Sequence, residues 1–250
     1  MTISEELLVL AHDLGKEERA LAILGEGNVS GDLGDGTFLV KASGTSLGTL
    51  QESGLSKVSF EKVNAFLAKD GQTEEDVESG LIDSLADPSH KKPSVETFLH
   101  ALCLQEEGVN FVGHTHTTSV LSILASKEGA KPFAKHLCPD CIVVCGLEVA
   151  VIPYVDPGLQ LAYAIKNVLA DYRAKHGKAP KVILMENHGP VALGKTSKEA
   201  FNIMLMLDKW AKLILGAQTM GGLNYMSDED AQKIDGRLDE AYRRKILEGK

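Results

Sequence analysis

Residues 110–125 read Asn-Phe-Val-Gly-His-Thr-His-Thr-Thr-Ser-Val-Leu-Ser-Ile-Leu-Ala. The first part, Asn110 to His116, reads as a strand, and it leads into a helix from about Thr118 to Ala125. Residues i and i+2 of a strand share a face, so His114 and His116 are expected to project their imidazoles side by side, as half of a metal site. A third histidine, His188, stands in Glu186-Asn187-His188-Gly189 at the end of a buried-type strand, Lys181 to Met185. It would complete three protein ligands and leave positions open for water or substrate, the pattern of a catalytic rather than a structural zinc. Spacing alone is equally compatible with hydrogen-bonding histidines at strand ends, because a His-x-His pair is a weak motif.

Outward from this stretch the chain alternates elements. Thr2 and Glu5 have capping-box spacing ahead of Leu7, Leu8, Leu10, Ala11 and Leu14, which predicts an opening amphipathic helix. Gly25 to Gly31 reads as a loop, Thr37 to Lys41 as a strand followed by a Ser43-Gly44-Thr45-Ser46 turn, and Phe60 to Leu67 as a short helix. Segment 70–92 is polar with weak signals. Pro93-Ser94 starts a helix in which Ser94 can act as the cap and Val95, Phe98, Leu99 and Leu102 form the buried stripe. Ile142 to Val144 and Val149 to Ile152 read as short strands. A long helix from Leu159 closes near Gly177, another follows the capping-box pair Thr196 and Glu199 to about Gly216, and a charged helix covers roughly 228–247. This alternation predicts a layered α/β protein, taken as one domain over residues 1–250.

Composition narrows the function classes. The 250 residues are 44% hydrophobic and 24% charged without a biased tract, which argues against disorder, and a net charge of −9 leaves no basic footprint for nucleic acid or an anionic membrane. The N-terminus carries acids where a secretory signal would be basic, and no apolar run reaches the roughly 18 residues of a membrane span, so a cytoplasmic location is expected. His136, Cys138, Cys141 and Cys145 are the competing metal candidates. They contain a single Cys-x-x-Cys pair with no second pair at zinc-ribbon spacing, and Cys145 lies in an apolar stretch where a small buried hydrophobe is the expected role.

Taken in order, Gly27-Asn28-Val29-Ser30, Ser43-Gly44, Pro93-Ser94-Val95-Glu96, His114-Thr115-His116 and Asn187-His188-Gly189 resemble the class II aldolase and adducin family over about residues 5–215. That family includes the zinc-dependent fuculose-phosphate and rhamnulose-phosphate aldolases. There is a particular likeness to the aldolase module of bacterial proteins that fuse it to a short-chain dehydrogenase, which these 250 residues do not contain. The resemblance implies a three-layer α/β/α fold with a central, mainly antiparallel sheet, assembled as a homotetramer with sites between subunits. It also implies that His114, His116 and His188 hold zinc, or another divalent ion such as Mn2+ or Co2+, and that Glu96 is the catalytic acid/base. Asn28, Ser43, Gly44 and Ser94 would bind phosphate. One position departs from the pattern: many sugar-phosphate members carry a second serine where this chain has Val95.

Physical chemistry supports these assignments separately. A helix opening at Ser94 would offer free N–H groups to an anion, Gly25, Gly27 and Gly44 permit close backbone approach, and Asn28, Ser43 and Thr45 supply donors. The plainer alternative makes Ser94 only a cap, the glycines only turns and Glu96 an ordinary first-turn carboxylate. The activity implied is retro-aldol cleavage of a small, phosphorylated hydroxy-carbonyl compound through a zinc-stabilised enediolate, with Tyr225 or Tyr242 as candidate proton donor. Pentose-phosphate 4-epimerase, thiosugar-phosphate dehydratase and decarboxylase are alternatives on the same site, although epimerase members carry Asp in place of Glu96. A non-catalytic adducin-like scaffold is the alternative of another class, and it has no use for three metal ligands with an open position.

Overall fold

Adjacent apolar residues in Phe111-Val112 and Val182-Ile183 must point to opposite faces of a sheet, so both faces have to be covered. The computed structural model describes residues 1–69 and 71–247 and shows that arrangement. The strands are β1 (Asn28–Asp32), β2 (Thr37–Lys41), β3 (Leu55–Ser59), β4 (Phe111–His114), β5 (Ala150–Ile152), β6 (Val182–Met185) and β7 (Gly189–Gly194). They form one sheet in the order β3-β2-β1-β4-β7-β6-β5, antiparallel at every pairing but the parallel β5–β6 edge.

The helices are α1 (Ile3–Leu14), α2 (Phe60–Leu67), α3 (Val77–Asp83), α4 (Thr97–Leu104), α5 (Thr118–Leu124), α6 (Pro139–Cys145), α7 (Leu159–His176), α8 (Ser197–Thr219), α9 (Asp228–Asp235) and α10 (Leu238–Leu247). On one face Phe111, Val182, Leu184 and Ala192 pack with Leu7 and Leu10 of α1, Val120 of α5, Val144 of α6 and Trp210 of α8. On the other, Val112, Ile183, Met185 and Val191 pack with Val63 of α2, Leu81 of α3, Phe98 of α4 and Ile165 of α7. The result is a three-layer α/β/α fold with a mainly antiparallel sheet. Among the described residues no helix is long and apolar enough to cross a membrane.

The helix caps follow the sequence closely. Thr2 accepts from Glu5 N while Glu5 accepts from Thr2 N, a complete capping box, and Gly177 closes α7 in the left-handed conformation. Four expectations need correction. Gly25 to Gly31 is not all loop, because β1 begins at Asn28 and pairs with both β2 and β4. Ile142–Val144 is helical, not a strand: Pro139 sits at the first position of α6, where its missing N–H costs nothing, and a short apolar run does not distinguish helix from strand. Ser94 does not cap α4, which starts at Thr97 after a turn closed by Thr97 N donating to Ser94 O, and Val95 is 44% exposed, outside the buried stripe. The terminal charged segment is two helices interrupted at Gly236. β3, α3 and β7 were not expected, and β7 in particular is hidden by its Gly-Pro start.

Candidate metal centre

Three strands bring the site together where β1, β4 and β7 end side by side. Asn28 pairs with His114 and His114 with Val191, so the first residue of β1 and the last of β4 stand beside the turn joining β6 to β7. That turn is Glu186-Asn187-His188: Asn187 takes φ 55°, and His188 N donates to Met185 O. Gly189 has φ 154°, and a Cβ there would lie 2.4 Å from the carbonyl oxygen of Thr115, so only glycine lets the turn carrying His188 close onto the His-Thr-His segment. Gly27 has the same role opposite, at φ 73° with a Cβ position 2.8 Å from His114 O. β4 stops at His114, so His116 reaches the site from the connection to α5 rather than from the strand.

The imidazoles of His114, His116 and His188 lie edge to face, with centroids 4.9, 5.0 and 5.2 Å apart. One nitrogen from each falls within 4.8 Å of the others, a group that could hold a metal ion. His114 Nδ1 donates to Pro190 O at 2.9 Å, which turns the Nε2 lone pair inward, where it meets His116 Nε2 at 3.2 Å. Two nitrogens bound at 2.0–2.1 Å to one tetrahedral zinc are about 3.3–3.4 Å apart, so the spacing fits a shared ion. On the outer side of His116, Nδ1 lies 3.4 Å from Glu26 Oε2, the carboxylate–histidine pairing that orients metal ligands. His188 Nδ1 is buried without a partner. Burial pushes His114 down to about 4, in spite of the neighbouring Glu96, and lowers His116 as well, which favours the neutral imidazoles that a metal requires.

Glu96 is buried at the N-terminal boundary of α4 and faces this group, with Oε1 2.9 Å from His188 Nε2 and Oε2 3.4 Å from His114 Nε2. Its burial would raise its pKa, but His114, His188 and the Asn28 amide outweigh that and hold the carboxyl well below the usual range. Asn28 Nδ2 donates to Glu96 Oε2 at 2.6 Å and to Ser94 Oγ at 3.1 Å. Asn28 therefore positions the acid, and both of its N–H groups are spoken for rather than free for a phosphate. Ser43, Gly44 and Ser94 do line a cavity of about 260 Å3 together with Glu96, His116 and His188. Tyr225 is elsewhere, donating to Pro132 O, and Tyr242 is 68% exposed on α10. In the cysteine cluster His136 is engaged with Gly146 O and Trp210, and Cys138 and Cys141 have sulfurs 3.2 Å apart. Among the described residues only the three histidines make a metal-ligand group.

Three residues at the site escaped the sequence reading: Glu26, Lys41 and His100. His100 lies one helical turn after Glu96 and is fully buried. Ser30 Oγ donates to its Nδ1 and its Nε2–H donates to Asn28 Oδ1, which aims the Asn28 amide at Glu96. Burial lowers the His100 pKa to about 3, although Glu96 opposes this, so the ring is neutral in the native state. In the unfolded chain it titrates near 6.5. Between pH 7 and pH 5 the unfolded state takes up a proton that the folded state refuses, so stability falls with falling pH by about 2 kcal/mol from this residue. Urea unfolding of His100→Gln at the two pH values is expected to show a pH dependence smaller by that amount. An unchanged dependence would mean that His100 is protonated in the fold.

Residues 5–215 match the family described as the Class II Aldolase and Adducin N-terminal domain. The chain belongs to the class II aldolase and adducin family. It is 26% identical to the uncharacterized oxidoreductase YuxG of Bacillus subtilis (strain 168) across 92% of its own length, and spans about a third (33%) of that relative. It is 31% identical to 3-oxo-tetronate 4-phosphate decarboxylase of Escherichia coli (strain K12), with 79% of each chain covered. Among solved structures, the N-terminal class II aldolase domain of a conserved protein from Thermoplasma acidophilum has a TM-score of 0.66 at 29% identity, covering 84% of this chain and 92% of that one. Relatives of the chain in this superfamily include both aldolases and a decarboxylase, so family membership by itself leaves the reaction open.

Proposed function

We propose that this chain is a zinc-dependent lyase that decarboxylates a small phosphorylated 3-oxo sugar acid, and that His114, His116 and His188 hold the ion. The observation that carries this is a cavity lined by His116 and His188 of the three-histidine group, the buried Glu96 and the polar corner formed by Ser43, Gly44 and Ser94. A bound divalent ion supplies Lewis-acid stabilisation of the charge that builds on the substrate carbonyl oxygen when the neighbouring bond breaks, worth several kcal/mol. Glu96, held by Asn28 and adjacent to His188, moves the proton at the carbon next to the carbonyl, a role commonly worth roughly two to four orders of magnitude. The small, partly enclosed cavity orients the substrate between the polar corner and the histidines.

Decarboxylation is preferred over retro-aldol cleavage because loss of CO2 requires no proton to be taken from a leaving hydroxyl, and Glu96 is then sufficient as the proton-moving group. The 31% identity to 3-oxo-tetronate 4-phosphate decarboxylase supports the same choice. Retro-aldol cleavage of a ketose phosphate is the second reading, favoured by the similarity of about half the chain to rhamnulose-1-phosphate aldolase of Listeria monocytogenes. Both reactions pass through an enediolate and share the roles given to Glu96 and the histidines. The homotetramer with sites between subunits belongs to this proposal and is checked by light scattering.

Zinc-loaded protein is expected to release CO2 from a 3-oxo-tetronate 4-phosphate, and to do so much faster than from the unphosphorylated acid. Aldehyde release from ketose 1-phosphates without CO2 release from the acid would establish the second reading. Activity on neither, in protein that holds its metal, would overturn both readings and turn the search to the epimerase and dehydratase reactions.

A further inference from the structure

Cys138 and Cys141 form the Cys-x-x-Cys pair of the sequence, and the histidine site makes no use of it. The backbone passes from an extended conformation at Cys138, φ −155° and ψ 156°, into α6 at Pro139. That change of direction brings the two side chains to one side, with their sulfurs 3.2 Å apart. A disulfide spans about 2.0 Å between sulfurs, so a side-chain movement of about 1 Å joins them.

The surroundings give the two thiols different parts. Cys138 is half-buried and open to a reagent from solvent, whereas Cys141 is fully buried in the core. The hydrogen bond with Cys141 pulls the Cys138 thiol down to about 6 in spite of its partial burial, and the same contact together with burial pushes Cys141 up. Cys138 is therefore the thiol that reaches the nucleophilic thiolate form near neutral pH. Cys103 and Cys145 are buried, and burial pushes both up, Cys145 to about 12. A metal is not what the pair is built for. Two sulfurs fall short of the four ligands of a structural zinc, His136 is engaged with Gly146 O and Trp210, and among the described residues these side chains form no metal-ligand group.

We propose that Cys138 and Cys141 are a redox-active dithiol, with Cys138 as the attacking thiol, Cys141 as the resolving thiol and a low-molecular-weight disulfide as the reaction partner. The Cys138 thiolate attacks one sulfur of the small disulfide, whose S–S bond breaks, releasing one thiolate and leaving a mixed disulfide on Cys138. Cys141 then attacks the Cys138 sulfur, its proton passes to a released thiolate, and the second small thiol departs. The protein loses two electrons and two protons, and the small disulfide becomes two thiols. This site is independent of the reaction proposed at the histidines.

The test incubates the reduced 250-residue chain with oxidised glutathione, quenches in acid and counts free thiols after denaturation. Wild type is expected to fall from four free thiols to two, with a mass lower by two hydrogens and no glutathione retained, and dithiothreitol should restore all four. Cleavage before Asp140 separates the two cysteines along the chain, so the fragments on either side should stay joined until reduced. Cys141→Ser is expected to stop at the mixed disulfide and keep one glutathione. Cys138→Ser should keep all its thiols, and Cys145→Ala should lose two, as wild type does. Four thiols left in wild type, a stable glutathione adduct on wild type, or loss of two thiols from Cys138→Ser would each overturn the proposal. The wild-type results decide the matter even if a variant fails to fold.

Discussion

Glu96→Gln is expected to lower turnover by roughly two or more orders of magnitude while the protein retains about one divalent ion per chain. The substitution keeps the shape of the side chain, and a glutamine Oε1 can accept the Asn28 amide that now reaches Glu96 Oε2 at 2.6 Å. The three histidines proposed as the metal ligands are unchanged, so metal content should survive, though affinity falls somewhat because the carboxylate faces two of them at 2.9 and 3.4 Å. What disappears is the carboxylate proposed to move a proton at carbon. Without it both readings of the reaction fail at the same step, with kcat reduced and KM little changed. The checks are metal analysis, steady-state kinetics and the exchange of solvent deuterium into the position next to the carbonyl. A metal-replete variant with near-normal turnover would remove Glu96 from the mechanism.

His116→Ala is expected to abolish metal binding at micromolar zinc and with it all activity, whereas Cys141→Ala should leave both intact. His116 is the most exposed of the three proposed ligands, so its removal tests the site more than the fold. Two remaining imidazoles do not make a catalytic zinc site, and the loss should exceed the roughly 10–100-fold that outer-shell changes cost. Glu26→Gln, which disturbs only the partner of His116 Nδ1, should fall in that smaller range. Cys141 is buried in α6 beside Cys138, and its contact with Cys138 and its burial push its thiol up, away from the thiolate that zinc needs. Metal retained by His116→Ala and lost by Cys141→Ala would reverse the assignment.

Much of this was legible in the amino-acid order. The period-3.6 stripes of α1, α7 and α8, the capping box at Thr2 and Glu5, and the Gly177 stop are local signals, and local backbone physics carries them into the structure unchanged. His114, His116 and His188 were found as a group because their motif order was recognisable, and the structure brings those three side chains together with Glu96. Short apolar runs were read less well: Ile142–Val144 has no period long enough to separate a buried helix from a buried strand, and β7, with Gly189 and Pro190 at its start, looks like a turn until β4 and β6 pair with it.

Sequence by itself therefore determined the layered α/β class and the helices with a long apolar period or a clear cap, and it singled out the three histidines that the structure groups, because each depends on residues close in the chain or on an ordered pattern. Only the tertiary structure decided what each polar side chain does. Asn28 is bound to Glu96 and Ser94 rather than free, because His100, 72 residues away, fixes its carbonyl end. Lys41 is buried with its ammonium donating to the carbonyls of Thr45 and Gly25 only because β2, the Gly25 loop and the Ser94 turn close around it. The physical reason is the same in both cases: the role of a donor or a charge is set by what remains to satisfy it after burial, and those partners come from segments that sequence spacing does not relate.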